Sequence, residues 1–217
     1  MIFDTGTGAD GGTDGGGDGG SGRSGYVRAS RAVLADVVRR SEDLRALCET
    51  GFPQSPFRMA PALAADDCVV ERTSVVDLGD EVEMIEEESG VLLLFGAVQG
   101  WYLFLHLGDG SVHAVPDEMA LFDGDLRPVH TDLSSLRRML ELLHRRELEV
   151  AREPAGGDRP TPYAELDRFA DGIQHEFERL DPVVFSEESD RESPWVYFFG
   201  DLRGGLYGTY YYRLDRG

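Results

Sequence analysis

The sequence predicts an α+β fold, in which strands and helices occupy separate stretches of the chain. The main observation is VLLLFGAVQGWYLFLHLGDGSVHAVPDE, residues 91–118, which reads as three strands joined by two turns. Helical periodicity precedes this stretch at residues 30–50 and follows it at 131–149 and 162–180. The length of 217 residues favours one domain with appendages, and no internal repeat of about 20 to 50 residues is visible.

The N-terminal stretch has the composition of a tail. We expect residues 1–28 to be disordered and residues 29–217 to form a single domain, with a hinge or linker at 151–160. The first 25 residues contain eleven Gly and four Asp, so they offer too little apolar surface to offset the entropy lost on ordering. The segment 151–160, AREPAGGDRP, combines Pro, Gly and charge as linkers do.

Residues 30–50 are predicted to form two short helices. Ser30 and Ser41 are the candidate N-caps, and valine and leucine recur after them at helical spacing. The helical segment should stop at TGFP, residues 50–53, because Gly51 suits the positive backbone angle that ends many helices.

Residues 56–90 are predicted to contain strands with acidic turns. VVERTSVVDL is rich in β-branched residues, which favour strands. In the following DEVEMIEEES, Val82 and Met84 alternate with Glu81, Glu83 and Ile85. This alternation predicts an edge strand whose acidic side chains prevent edge-to-edge aggregation.

Residues 91–118, called the meander below, begin with VLLLF, a wholly apolar strand. GAVQG is expected to be a loop after it. WYLFLHL is apolar on both faces, so it is predicted to be a central strand with Trp101 in the core. GDG predicts a tight hairpin turn before SVHAVP. If Asp109 and Gly110 formed a two-residue turn, His106 would face His113 across the strand pair.

The C-terminal third is predicted to contain two helices and a strand. Thr131 or Asp132 caps the first helix, and Thr161 caps the second with Pro162 at its first position. The buried face of the second helix is expected to be Tyr163, Leu166, Phe169, Ile173, Phe177 and Leu180. WVYFF, residues 195–199, reads as an aromatic strand.

The charge of the chain limits its ligands. A formal net charge of −20 argues against nucleic acid and anionic membrane surfaces as direct ligands, since both are bound by clustered basic residues. The charge permits a basic partner, and it equally serves solubility. Two cysteines, no signal peptide and no apolar run of membrane-spanning length predict a cytoplasmic protein with reduced thiols.

Catalytic signatures are absent from the sequence, and we expect no cofactor and no metal. The chain contains no G-x-S-x-G, P-loop, H-E-x-x-H or dinucleotide fingerprint. His106 and His113 could share a metal ion, but a zinc site needs three or four ligands, and Glu118 or His130 would have to fold nearby. A structural histidine pair is the alternative.

Several phrases of the sequence resemble the SUKH superfamily, and in particular its bacterial immunity proteins. The resemblance is carried by TGFP at 50–53, FG at 95–96, QGWYLFLHLGDGSVHAVPDE and VHTDLSSLRRMLELL, over roughly residues 42–200. In this chain His130-Thr131-Asp132-Leu133 replaces the Asn-Ser-Ser-Leu phrase of the family. The order of these phrases along the chain carries the resemblance.

The resemblance implies a mixed, mostly antiparallel sheet flanked by helices and a role without catalysis. Such proteins are thought to bind and neutralise the toxin domains of polymorphic toxin systems, many of them nucleases. A basic toxin domain would suit the acidity of the chain. We therefore expect the partner-binding residues to be acidic and to lie on the rim of the sheet: Asp80, Glu81, Glu83, Glu86, Glu87, Glu88, Glu187, Glu188 and Asp190.

Two other hypotheses remain open from the sequence. One is a regulatory or adaptor protein of the same fold, which would bind its partner through a more apolar patch such as the Tyr-rich C-terminal end. The other is a metal-dependent enzyme built on His106 and His113. Runs of adjacent acids are usually solvated surface, so the acidic pattern does not by itself exclude either.

Overall fold

The computed structural model describes residues 25–54, 56–68, 78–98, 100–116, 128–152, 162–186 and 193–206. The strands are β1 (Tyr26–Val27), β2 (Phe52–Pro53), β3 (Phe57–Met59), β4 (Met84–Glu87), β5 (Gly90–Val98), β6 (Trp101–His106), β7 (Val112–Pro116) and β8 (Pro128–His130). The α-helices are α1 (Arg31–Leu34), α2 (Ser41–Arg45), α3 (Leu133–Arg152), α4 (Tyr163–Leu180) and α5 (Pro194–Arg203). Some predictions concern residues outside these ranges: the tail up to residue 24, most of VVERTSVVDL, residues 153–160 of the linker, and the Tyr-rich end.

Six strands form one sheet, in which every pair among the described residues is antiparallel. The strand order is β3-β5-β6-β7-β8, and β4 pairs with β5 at residues 90–93, next to β3 at residues 96–98. β6 lies between β5 and β7, as predicted for WYLFLHL, and Trp101 is buried. The predicted α+β fold, with an antiparallel sheet flanked by helices, is confirmed.

The loop expected at GAVQG is wrong, because β5 continues to Val98. The strand contains a bulge between Leu94 and Gly96, where the pairing with β6 shifts by one residue. Gly96 is needed there, since a Cβ atom would lie 2.4 Å from the carbonyl oxygen of Arg58 in β3. The glycine and the bulge therefore let a short third strand join β5.

The main core lies on one face of the sheet, where the helices pack. α3 contacts β2, β8 and α4, and α4 contacts α5. The Asp132 carboxylate accepts a hydrogen bond of 2.7 Å from the Ser135 N–H, which confirms Asp132 as the cap of α3. Leu133, Leu136, Leu140 and Leu143 are buried, at the spacing of one helical face of α3.

The second predicted helix is also present, with different ends. Pro162 occupies the N-cap position of α4 instead of the first helical position, and Thr161 lies outside the described residues. Tyr163 and Leu180 are 61% and 37% exposed, so the buried face is narrower than predicted. It consists of Leu166, Ala170, Ile173 and Phe177.

The aromatic strand predicted at WVYFF is wrong, because these residues belong to helix α5. The Ser193 hydroxyl accepts a hydrogen bond of 3.2 Å from the Trp195 N–H, and Pro194 follows at the first position. Trp195, Phe198, Phe199 and Leu202 are buried, at the spacing of one helical face. Burial against α4 outweighs the strand preference of aromatic side chains, since packing decides where propensity is weak.

The N-terminal boundary lies earlier than expected. β1, at Tyr26–Val27, pairs with β2 inside the segment that the sequence assigns to the tail. Gly51 allows this pairing: its φ is 71°, and a Cβ atom there would lie 2.4 Å from the Val27 carbonyl oxygen. Ser30 occupies the N-cap position without a side-chain hydrogen bond, whereas Ser41 is already inside α2.

A buried polar network connects β8, α3, α4 and α5. The Asp181 carboxylate, at the end of α4, is almost fully buried and accepts four hydrogen bonds. The donors are Thr131 N (2.7 Å), Thr131 Oγ1 (2.8 Å), Ser135 Oγ (2.5 Å) and Val183 N (3.1 Å). Burial alone would raise the pKa of Asp181, but the hydrogen bonds from Ser135 and Thr131 outweigh it and lower that pKa.

His130 extends this network to α5. It is fully buried, which lowers the pKa of the imidazole to about 3, so the ring is neutral at pH 7. The Trp195 indole N–H donates a hydrogen bond of 2.8 Å to His130 Nε2. The proton of the neutral ring therefore lies on Nδ1, which is 3.2 Å from the Ser135 hydroxyl. Both ring nitrogens of His130 take part in hydrogen bonds within the protein, so neither is available to a metal ion.

Candidate partner-binding surface

The structure places six of the nine predicted contact residues on one edge of the sheet. Asp80, Glu81 and Glu83 precede β4, Glu86 and Glu87 lie in it, and Glu88 follows it. All six are exposed. Among the described residues, β4 pairs with β5 alone, so the predicted edge strand is confirmed. Residues 80–88 are called the acidic edge below. Glu187, Glu188 and Asp190 lie outside the described residues.

One apolar side chain attaches the acidic edge to the sheet. Ile85 lies opposite Leu92 and packs against a small apolar cluster on the face of the sheet away from the main core. The buried members of this cluster are Leu92, Leu94, Phe104 and Val115. A hydrogen bond of 3.0 Å from the Leu94 N–H to the Glu83 carbonyl extends the attachment beyond the strand.

The inward face of β4 differs from the prediction. The sequence pattern placed Val82 and Met84 together on one face and Ile85 on the other, but only Ile85 is partly buried. Met84 is 52% exposed and Val82 is 38% exposed. The acidic edge therefore combines carboxylates with exposed apolar side chains, a feature that the sequence reading missed. The sequence held no signal for it, because residues 91–95, VLLLF, are apolar on both faces.

The glutamates of the acidic edge are not neutralised within the described part of the protein. Across the described ranges, no ion pair involves Glu81, Glu83, Glu86, Glu87 or Glu88. Five negative charges within eight residues repel one another, and the repulsion is relieved by solvent ions or a basic partner. The edge is thus an exposed cluster of negative charge that no described residue neutralises.

Strands β6 and β7, which carry His106 and His113, are not paired in the register that a two-residue turn requires. His113 lies opposite Phe104, and His106 is bonded across the hairpin to Ser111, so residues 107–110 form a four-residue turn. Both rings remain on the same face, with centroids 5.9 Å apart. The predicted direct pairing of His106 with His113 is therefore wrong.

Hydrogen bonds within the hairpin occupy these histidines. His106 Nδ1 lies 2.8 Å from an Asp109 carboxylate oxygen, and His106 Nε2 lies 3.0 Å from the Ser89 carbonyl oxygen. Ser111 Oγ is 2.7 Å from the same Asp109 oxygen and 2.9 Å from His113 Nε2. Among the described residues, no group of three or more His, Cys, Asp or Glu side chains is arranged to hold a metal ion. The arrangement is that of a hairpin-stabilising network.

Arg40 links the same hairpin to α2. Its guanidinium donates a hydrogen bond to the Asp109 carbonyl, and its Nε lies 2.9 Å from an Asp43 carboxylate oxygen outside hydrogen-bond geometry. Burial raises the pKa of Asp43 to about 6, although the Arg40 charge opposes that rise. Asp43 is therefore a buried carboxyl that is poorly compensated at neutral pH.

Tyr197 and Cys48 lie in positions that do not indicate a reactive site. Tyr197 is 53% exposed on α5, and its ring centroid is 5.7 Å from that of Trp101. Cys48 is partly buried, and burial raises the pKa of its thiol, which disfavours the reactive thiolate. Across the described residues, no helix is long and apolar enough to cross a membrane.

Comparison with known proteins assigns this arrangement to a family. A model of the family described as SUKH-4 immunity protein matches residues 17–201, which is most of the chain. The searches of curated proteins and of solved structures return no significant match. The match spans the meander, the acidic edge and all five α-helices except the end of α5. The chain belongs to the SUKH-4 immunity protein family.

Proposed function

We propose that this immunity protein binds a basic toxin domain through its acidic edge and neutralises it in the cytoplasm without catalytic turnover. The observation that carries the proposal is the exposed β4 strand, whose glutamates have no cationic partner in the described part of the chain. A partner that supplies Lys or Arg side chains would relieve the repulsion within the edge, and it would be attracted over several ångströms before contact.

A nuclease toxin would fit this surface well. A nuclease holds its substrate with positively charged side chains, so the face that binds nucleic acid is complementary to an acidic edge. Occupying that face would block the substrate directly. The exposed side chains of Met84 and Val82 would add apolar contact at the centre of the interface, where charged residues alone contribute little net affinity. We include Glu187, Glu188 and Asp190 in the proposed surface on their charge alone.

The first experiment identifies the partner and measures its association. The full-length chain is used to retain proteins from its source cells at low and at high salt, and the retained toxin domain is then purified. We expect one basic toxin domain whose association rate falls steeply as salt rises. The variant Glu86→Gln/Glu87→Gln/Glu88→Gln should slow association about tenfold at low salt, with a smaller effect on dissociation.

A matched control separates local from global charge. Asp36, Asp66 and Asp167 are exposed acids outside the acidic edge, and none of them takes part in an ion pair of the described residues. The variant Asp36→Asn/Asp66→Asn/Asp167→Asn removes the same three charges, and it should change the association rate less than about twofold. If the two triple variants slowed association equally, the net charge of the protein would explain the effect, and the acidic edge would have no special role. A toxin domain bound without salt dependence would refute the proposal.

A further inference from the structure

A groove between α3 and α4 carries positive charge on this acidic protein. The groove has a volume of about 330 Å³. Arg138 and Arg145 line it from α3, and Arg179 lines it from α4. All three arginines are exposed, and none of them makes an ion pair with any residue that the structure describes.

The acidic residues of the groove do not neutralise these arginines. Glu141 accepts a hydrogen bond of 2.8 Å from Arg137, and Glu176 accepts one of 2.9 Å from Arg146. Neither Arg137 nor Arg146 lines the groove. Each glutamate is thus paired with an arginine outside the groove, and the lining holds three arginines against two glutamates.

Two of the three arginines lie on one face of the same helix. With a net charge of −20, solubility is ensured by acidic residues, and exposed arginines are not needed for it. Arg138 and Arg145 are seven residues apart, or two helical turns, so they lie on the same face of α3. Leu180, which is 37% exposed, also lines the groove and offers apolar surface beside the charged groups. The combination suits a ligand that has both anionic and apolar groups.

We propose that the α3–α4 groove binds an acidic polypeptide segment of a partner protein. Guanidinium groups bind carboxylates in two-pronged geometry. Arg138 and Arg145 are separated by about 10 Å along the helix, and carboxylates two to four residues apart in an extended segment span about 7 to 13 Å. Leu180 would give such a segment its apolar contact in the groove.

A long polyanion fits the groove less well than a short acidic segment. Screening limits the reach of exposed charges to about 10 Å at moderate salt, so a short segment responds mainly to the three arginines. Nucleic acid would extend beyond the groove into the field of the other acidic residues, which repels it. This site is carried by other elements than the acidic edge, and it does not depend on the function proposed for that edge.

The test is binding of a defined peptide to the full-length chain. The probe is fluorescein-labelled Asp-Leu-Asp-Leu-Asp-Leu-Asp, and its asparagine analogue and inorganic pyrophosphate serve as competitors. We expect salt-sensitive binding of the aspartate peptide, measured by fluorescence anisotropy, and no competition by the asparagine analogue. The variant Arg138→Gln/Arg145→Gln should weaken binding about tenfold, since two exposed ion pairs are lost.

A matched control removes two arginines from outside the groove. Arg39 and Arg45 are exposed arginines outside the groove lining, so Arg39→Gln/Arg45→Gln removes the same charge and should leave the affinity unchanged. Absence of peptide binding, or equal effects of the two double variants, would overturn the proposal. Displacement of the peptide by pyrophosphate at lower concentration than by unlabelled peptide would assign the groove to phosphate-bearing ligands instead, and would also overturn it.

Discussion

The Asp181→Asn substitution should destabilise the fold strongly, although it preserves the shape of the side chain. Each carboxylate oxygen accepts one backbone N–H: Thr131 N lies 2.7 Å from one oxygen, and Val183 N lies 3.1 Å from the other. An asparagine replaces one oxygen by an amino group. In either orientation of the amide, one of these partly buried backbone N–H groups then faces another donor.

The magnitude follows from this count. A hydrogen bond to a charged group contributes about 1.5 to 3 kcal/mol, and a buried donor without an acceptor costs about 1 to 3 kcal/mol more. Asp181 is 2% exposed, so solvent does not replace the lost partner. We expect the free energy of unfolding to fall by about 3 to 5 kcal/mol, a large part of the roughly 5 to 15 kcal/mol that is typical of a domain.

The assay is guanidinium unfolding of the wild type and the variant, followed by circular dichroism at pH 7. Asp171→Asn is the matched control, because Asp171 lies on the same helix in an ion pair of 2.8 Å with Arg203 but is 68% exposed. The control should lose less than about 1 kcal/mol. A loss for Asp181→Asn no larger than that of the control would refute the assignment of Asp181 as the centre of the network.

The pH dependence gives an independent check. The pKa of Asp181 is lowered from 3.8 in the folded state, so the unfolded state binds a proton first as the pH falls. The stability that the carboxylate contributes is therefore complete above about pH 5 and is lost as the pH falls below 3.8. The difference between wild type and Asp181→Asn should stay constant from pH 7 to pH 5 and narrow at pH 3. A gap that widens under acid would contradict the hydrogen-bond count.

Three further substitutions test other parts of the fold. Trp195→Phe removes the donor to His130 Nε2 and should cost about 2 to 4 kcal/mol in guanidinium unfolding, mostly from the unsatisfied buried acceptor. Asp43→Asn should stabilise the protein at pH 8 by about 1 to 3 kcal/mol, and less at pH 5, because burial raises the pKa of Asp43 to about 6 and the charged form is the unfavourable one. Gly51→Ala should lower the melting temperature by at least about 4 °C, since its Cβ atom would lie 2.4 Å from the Val27 carbonyl oxygen.

Each of these expectations has a contrary result. A Trp195→Phe protein as stable as the wild type would mean that His130 finds another donor. A loss of stability for Asp43→Asn at pH 8 that persists at pH 5 and shrinks only below about pH 4 would mean that the Arg40 charge outweighs burial. An unchanged melting temperature for Gly51→Ala would mean that β1 can leave β2 without cost to the domain.

The local elements of this fold were predictable where their pattern repeats over many residues. The leucines of α3 recur at helical spacing for several turns, and the apolar residues of β6 fill both faces of a strand, so burial and local preference agree. The pattern failed at residues 195–199, where a short aromatic run fits a strand and a helix equally well. Packing of these residues against α4 stabilises the helix.

Some features of the acidic edge were also predictable from the sequence, and others were not. The order of its carboxylates and its place at the rim of the sheet follow from the sequence, since a strand with this many charges cannot be covered on both faces. The inward direction of Ile85 depends on its register with Leu92, and a one-residue change of register reverses every side chain of a strand. The hairpin register of His106 and His113 was set by the length of the turn in the same manner.

The acidity, the position of the long helices and central strands, and the resemblance to immunity proteins are properties of the amino-acid sequence alone, because they depend on composition and on the order of neighbouring residues. The tertiary structure decided which charges are compensated. The Asp181 carboxylate meets donors from Thr131 and Ser135, about fifty residues away, whereas the glutamates of the acidic edge and the arginines of the α3–α4 groove make no ion pair among the described residues. Such compensation depends on distances in space, which sequence spacing does not specify.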